Sequence, residues 1–94
     1  MSRPPASPEL QIDNERLRVT LWRFPPGGAT GWHRHEHDYT VVPLTTGTLA
    51  IESAEGRTEA RLVAGGSYFR KAGVEHDVIN ANDHEFAFVE VELK

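Results

Sequence analysis

The stretch that decides the fold of this chain runs from 27 to 80 and carries two histidine-bearing segments, GWHRHEHD at 31–38 and GVEHDVIN at 73–80. Side chains two positions apart on an extended strand point to the same side of a sheet, so His33 and His35 are expected to face the same way. His76, from a distant strand, can complete a set of three imidazole ligands around one metal ion. A mononuclear metal centre is therefore the first hypothesis.

Composition narrows the class of protein. The 94 residues carry a formal net charge of −4 without a basic run, so neither nucleic acid nor an anionic membrane is expected as a partner. The chain has no cysteine, which leaves imidazole and carboxylate as metal ligands. No run approaches the roughly 18 apolar residues that span a bilayer, and the first residues lack the apolar core of a signal peptide. A soluble protein of the cytoplasm is the expectation.

Turn residues divide the chain into short extended segments, which is typical of an all-β domain. Leu17, Val19 and Leu21 alternate with their neighbours in a period of two, and this strand ends at the prolines and glycines of 25–28. Further extended segments are predicted at 32–35, 39–43, 48–52, 59–63, 67–70, 76–80 and 85–93. Because no segment shows helical periodicity, we predict a small closed barrel or two-sheet sandwich of about seven to nine strands.

The last predicted strand has two different faces. One face carries Phe86, Phe88, Glu90 and Glu92, and the other carries Ala87, Val89, Val91 and Leu93. If the face with the phenylalanines lines the interior, Glu90 becomes a candidate base or a partner of the metal site. An edge strand with this carboxylate in solvent is the interpretation that we favour.

The two histidine-bearing segments resemble the two motifs of the cupin family. The positions that match the motifs are Gly27, His33, His35 and Gly47 in the first and Gly65, Gly73, His76 and Asn80 in the second. Thr40 stands at the acidic position of the first motif and Lys71 at the proline position of the second. The sequence around the motifs is further similar to small bacterial cupins linked to β-alanine degradation.

This resemblance implies a single jelly-roll barrel, or double-stranded β-helix, over residues 10–94, after a flexible segment at 1–9. It implies that His33, His35 and His76 surround one divalent ion, with iron, manganese, nickel, copper and zinc as the common choices. With a threonine at the acidic position, we expect a three-histidine site. The family also suggests a homodimer formed through exchange or pairing of an N-terminal strand, for which Leu10 to Asp13 is the candidate.

Several residues near the motifs have two possible roles. His37 has the parity of a further ligand but is expected at a turn, and Tyr39 would reach the metal only through a one-residue bulge. His84 is expected on the surface and Arg34 on the side opposite the histidines. Asn80 is expected to bond backbone rather than substrate. The motif glycines are expected in turns that require positive φ.

Three functions are compatible with these residues. The first is a metalloenzyme, such as an oxygenase, lyase or isomerase, that binds a small anionic metabolite at the metal. The second is a non-catalytic cupin that binds a metabolite or metal as an accessory to a catabolic pathway. The third is a structural barrel that has lost its metal. Neither the catalytic residues nor the substrate follow from the sequence.

Overall fold

The computed structural model of the protein describes residues 3–94, which form nine strands and no helix. The strands are β1 (Ser7–Asp13), β2 (Leu17–Phe24), β3 (His33–Arg34), β4 (Asp38–Pro43), β5 (Gly47–Ser53), β6 (Gly56–Leu62), β7 (Tyr68–Arg70), β8 (Glu75–Asn80) and β9 (Phe86–Leu93). Within this part of the chain, no helix is long and apolar enough to cross a membrane. The cytoplasmic location expected from the sequence stays a prediction.

Two antiparallel sheets face each other, which confirms the predicted jelly-roll class. One sheet has five strands in the order β1-β2-β9-β4-β7, and the other has four in the order β3-β8-β5-β6. Strands that are distant in sequence are neighbours in both sheets, as β2 and β9 are. This topology brings the two histidine-bearing segments together, because β3 pairs with β8.

Strand β9 lies inside the five-stranded sheet and is paired on both sides. Glu90 stands opposite Thr20 on β2 and opposite Val41 on β4. Phe86, Phe88 and Glu90 are only 0, 4 and 9% exposed, so the face that they share is the inner one. The favoured interpretation of an edge strand with Glu90 in solvent is therefore wrong. Both strand edges are occupied, and this carboxylate shares the face of the phenylalanines that pack into the core.

Aromatic and aliphatic side chains from both sheets fill the space between them. The rings of Phe24 and Phe88 pack with centroids 5.4 Å apart. Val41 from the five-stranded sheet and Leu49 from the four-stranded sheet are both almost fully buried. Full burial of an apolar side chain of this size contributes about 1.5–3 kcal/mol. This core holds the two walls between which the histidines lie.

The buried side chain of Asn80 connects distant parts of the chain by hydrogen bonds. Its Nδ2 donates to the carbonyl oxygens of Phe24, Pro25 and His84 at 3.2, 3.2 and 2.8 Å. Its Oδ1 accepts from the backbone and the side chain of Asn82. The prediction that Asn80 bonds backbone is confirmed, because the side chain is buried and these partners use both of its polar atoms.

The motif glycines differ in what they require. Gly27, Gly65 and Gly73 have positive φ, as predicted, whereas Gly47 does not. A Cβ atom on Gly47 would lie 2.7 Å from Oδ1 of Asn82, so close approach is what demands glycine at this position. The prediction of positive φ is wrong for Gly47.

The N-terminal segment is attached to the barrel from Pro4 onward. The amide of Ala29 donates to the carbonyl oxygen of Pro4, and the amide of Ala6 donates to that of Ala29, both at 2.9 Å. Strand β1 begins at Ser7 and pairs with β2 of the same chain, so the proposed exchange segment 10–13 already has one partner. The bounds 1–9 and 10–94 and the mobility of 1–9 stay predictions, and Met1 and Ser2 lie outside the described residues.

Candidate metal centre

Backbone pairing sets the positions of the three histidines. His33 on β3 stands directly opposite His76 on β8. His35 follows β3, and its backbone is held by two bonds of 2.8 Å, from its own amide to the carbonyl oxygen of Val74 and from the amide of Gly73 to its carbonyl oxygen. The three imidazoles therefore project from paired backbone rather than from a free loop.

The Nε2 atoms of the three rings converge on one point. Nε2 of His35 lies 3.1 Å from Nε2 of His33 and 3.1 Å from Nε2 of His76. All three candidate ligand atoms lie within 4.8 Å of one another. Two nitrogens bonded to one ion at about 2.1 Å, with about 90° between the bonds, lie about 3.0 Å apart. The spacing of the nitrogens fits neighbouring ligands of a single divalent ion.

A hydrogen bond to the backbone orients the ring of His33. Its Nδ1 lies 2.9 Å from the carbonyl oxygen of Gly31, so Nδ1–H donates to this oxygen. The hydroxyl of Thr30 lies 3.2 Å from the same nitrogen. With its proton on Nδ1, the neutral ring presents the lone pair of Nε2 to the other two histidines, as a metal ligand must.

Burial keeps the other two imidazoles neutral. It lowers the pKa of His35 and the pKa of His76 to about 4 each, and the neighbouring ring of His33 adds to the effect in both cases. Neutral imidazole is the form that binds a metal ion. The cluster is therefore ready to accept a cation at neutral pH without first losing protons from these two rings.

Strand β4 turns Tyr39, not Thr40, toward the histidines. Tyr39 is 3% exposed, and its ring stacks on that of His35 with centroids 3.8 Å apart and an angle of 16° between the planes. Thr40 pairs with Val91 and, by the alternation of the strand, points to the outer face. Thr40, which stands at the acidic position of the motif, therefore does not face the histidines. Tyr39 contacts His35 from a regular strand, so the expectation that it would need a one-residue bulge is wrong.

The remaining candidates lie around the cluster rather than in it. His37 is partly buried and lines the same cavity, but its ring is outside the group of three. Arg34 is exposed but it too borders this cavity, and its expected place on the side opposite the histidines stays a prediction. His84 is also exposed, as predicted, with its Nδ1 bonded to the carbonyl oxygen of Glu85.

The histidines open into a cavity of about 540 Å³ between the sheets. The wall supplied by the five-stranded sheet includes Trp22, Tyr68 and Glu90. Burial and, to a smaller extent, the carboxylate of Glu92 raise the pKa of Glu90 to about 7, although a hydrogen bond from Trp22 acts in the opposite direction. Burial also raises the pKa of Tyr68. Sequence reasoning missed Tyr68 as a wall residue, because no motif includes it, and favoured a solvent position for Glu90.

Two facing antiparallel sheets with a histidine cluster drawn from two paired strands define a cupin. Residues 20–92 match the family model described as "Cupin domain", and the chain belongs to this family. It is 63% identical over 92 residues to the β-alanine degradation protein BauB of Pseudomonas aeruginosa, with 98% of this chain and 97% of that protein covered.

Solved structures agree with this assignment. A cupin domain from Bordetella pertussis Tohama I superposes with a TM-score of 0.98 at 62% identity, covering 100% of this chain and 98% of that one. A conserved protein of Klebsiella pneumoniae with a double-stranded β-helix domain gives a TM-score of 0.79 at 23% identity, with 99 and 80% covered. The second likeness shows the fold alone.

Proposed function

We propose that this protein is a cupin that holds one divalent metal ion through His33, His35 and His76 and binds a small anionic metabolite beside it. The convergence of three Nε2 atoms, with two separations of 3.1 Å, is the observation that carries the proposal. Iron, manganese, nickel, copper and zinc are all compatible with imidazole ligands. Metal analysis of the purified protein identifies the ion.

The charge of the site supports an anionic ligand. Neutral imidazoles do not offset the charge of a divalent ion, so a carboxylate that enters the cavity gains electrostatic stabilisation there. A bound ion would supply Lewis acidity to a carbonyl or carboxylate group and, if redox-active, a means of activating dioxygen. The carbonyl oxygen of Gly31 orients the ring of His33 for metal binding, and the ring of Tyr39 stacks on the ring of His35 and holds it in place.

The relative BauB supports a short carboxylic acid as the ligand, since its name places it in β-alanine degradation. An enzyme that acts on such a ligand needs a group in the cavity that can transfer a proton, whereas an accessory binding protein does not. Burial raises the pKa of Tyr39 and of Tyr68, so neither phenol is a base at neutral pH. Glu90, with a pKa of about 7, is the wall residue suited to accept a proton. We propose a metalloenzyme first and a non-catalytic accessory cupin as the alternative.

Turnover assays separate these two functions. The metal-loaded protein is expected to consume oxygen or release product when mixed with β-alanine or with short oxo-acids. This turnover should be lost in His76→Ala and kept in His84→Ala, whose ring lies outside the cluster. Binding of these compounds without any turnover would contradict the enzyme and favour the accessory protein.

A second copy of the chain is the proposed partner of strand β1. All seven residues of β1 are exposed, including Leu10 at 58% and Ile12 at 47%, and within residues 3–94 only β2 pairs with it. A bare strand edge with apolar side chains is normally paired or covered. Antiparallel pairing about a two-fold axis at Leu10 would set Glu9 opposite Gln11, so that no like charges face each other.

Replacing Leu10 and Ile12 together by lysine is expected to convert a dimer into a folded monomer, because lysine on an edge strand opposes edge-to-edge pairing. Size-exclusion chromatography with light scattering measures this, and Val63→Lys, at an exposed apolar residue outside β1, is the matched control. A monomeric wild-type protein, or a dimer that survives the double substitution, would contradict the proposed interface.

A further inference from the structure

The cavity has a second polar group, Glu90. His33 and His76 lie on β3 and β8 in the four-stranded sheet, whereas Glu90 lies on β9 in the five-stranded sheet. All three line the same space of about 540 Å³, which is ample for a small metabolite. A ligand held at the histidines therefore shares its cavity with a carboxyl group of the protein.

Glu90 is a buried carboxyl group without a cationic partner. Among residues 3–94 it takes part in no ion pair, and Arg18, the arginine of the nearby wall, is paired with Glu92 at 3.8 Å and with Asp13 at 3.7 Å. Its cross-strand neighbours are Thr20 and Val41, which carry no charge. A buried carboxylate without a cation is costly, and only the hydrogen bond from Trp22 acts against the raised pKa of Glu90. The raised pKa of Glu90 is the consequence of this burial.

The two polar groups of the cavity thus have opposite preferences. The histidine cluster with its metal ion favours an anionic group, while Glu90 has no cation paired with it. A short amino acid carries both complementary groups, and its extended chain separates them. β-Alanine is such a molecule, with its amine two carbons away from its carboxylate.

We propose that Glu90 binds the protonated amine of a short amino acid whose carboxylate is held at the histidine cluster. The inference rests on the proposed function, since it requires the anionic end of the ligand at the metal. Glu90 is then the residue that gives the site a higher affinity for amino acids than for simple carboxylates. The favourable contribution is a charge-assisted hydrogen bond in a buried setting, which is stronger than a neutral one.

The test compares β-alanine with propionate, the same carboxylate without the amine, by calorimetric titration of protein of known metal content. The wild-type protein is expected to bind β-alanine at least about tenfold more tightly than propionate, as a charge-assisted bond implies. Glu90→Gln should bind the two compounds alike and keep its affinity for propionate and its metal. Glu92→Gln, at the residue paired with Arg18, should keep the preference of the wild type.

The outcomes distinguish this inference from the proposed function. Propionate binding that persists in metal-free His76→Ala would overturn the function itself. If propionate binding needs His76 but the wild type shows no preference for the amine, or Glu90→Gln retains it, only the role of Glu90 is overturned. If the metal-replete wild type binds neither compound, the role of Glu90 is overturned as well. The comparison within the wild type does not depend on how the variants fold.

Discussion

Replacing His76 by alanine is expected to lower the affinity for divalent metal by more than about 100-fold, since loss of a group that merely supports a ligand costs 10–100-fold. The variant removes one of three Nε2 atoms and leaves the other two facing an ion with too few protein ligands. Its buried ring also contributes no charge to the folded protein, because burial holds its pKa at about 4. The loss should therefore appear in metal binding more than in folding.

Competition with a metal-binding dye measures this affinity, and metal analysis of the purified protein gives the occupancy. His84→Ala is the matched control, because His84 is exposed and bonded only to backbone of the neighbouring residue. His33→Ala should behave as His76→Ala does. Equal metal affinity in wild type and in both cluster variants would reject the site and leave a metal-free accessory cupin or a structural barrel as the remaining functions.

The stability of the protein is expected to depend on pH through Glu90. Its pKa is about 7 in the folded protein, against 4.5 for an unperturbed side chain. Because the folded state holds the proton more tightly, this stabilisation is complete below pH 4.5 and is lost as the pH rises through 7. The difference of pKa corresponds to about 3 kcal/mol at most in the free energy of unfolding.

Urea unfolding of the wild type and of Glu90→Gln, at one protein concentration and several pH values, isolates this contribution. The variant lacks the titrating group, while the histidines are common to both proteins. The stability of Glu90→Gln relative to the wild type should therefore rise by up to about 3 kcal/mol between pH 4.5 and pH 8. A difference that stays constant over this range would show that Glu90 is not held in a desolvating environment.

The sequence was sufficient for the histidine cluster and for eight of the nine strands, since β1 was expected only as a candidate dimer segment at 10–13. Alternation predicted β2, and parity put His33 and His35 on one side. The resemblance to the family then selected His76, and the structure brings its Nε2 to 3.1 Å from that of His35. Local patterns succeed here because the relevant periodicity is a property of the strand itself.

The sequence was insufficient where the answer depends on which strands are neighbours. Alternation identifies two faces of β9 but does not tell which one is buried, since both carry apolar residues. That choice follows from β2 and β4 on either side, and it places Glu90 inside. The prediction of positive φ at Gly47 failed for the same reason, because the close approach of the Asn82 side chain comes from a turn that is distant in sequence. Tyr39 was expected to need a bulge and contacts His35 without one, because a difference of one residue in register reverses the face of a strand.

Anomalous diffraction from crystals of the metal-loaded protein tests the central claim most directly. One peak is expected between the Nε2 atoms of His33, His35 and His76, at about 2.0–2.2 Å from each. A peak bonded to Nδ1 of His33 would contradict the orientation imposed by Gly31. A peak elsewhere in the protein, with the three imidazoles still in contact with one another, would contradict the metal centre itself.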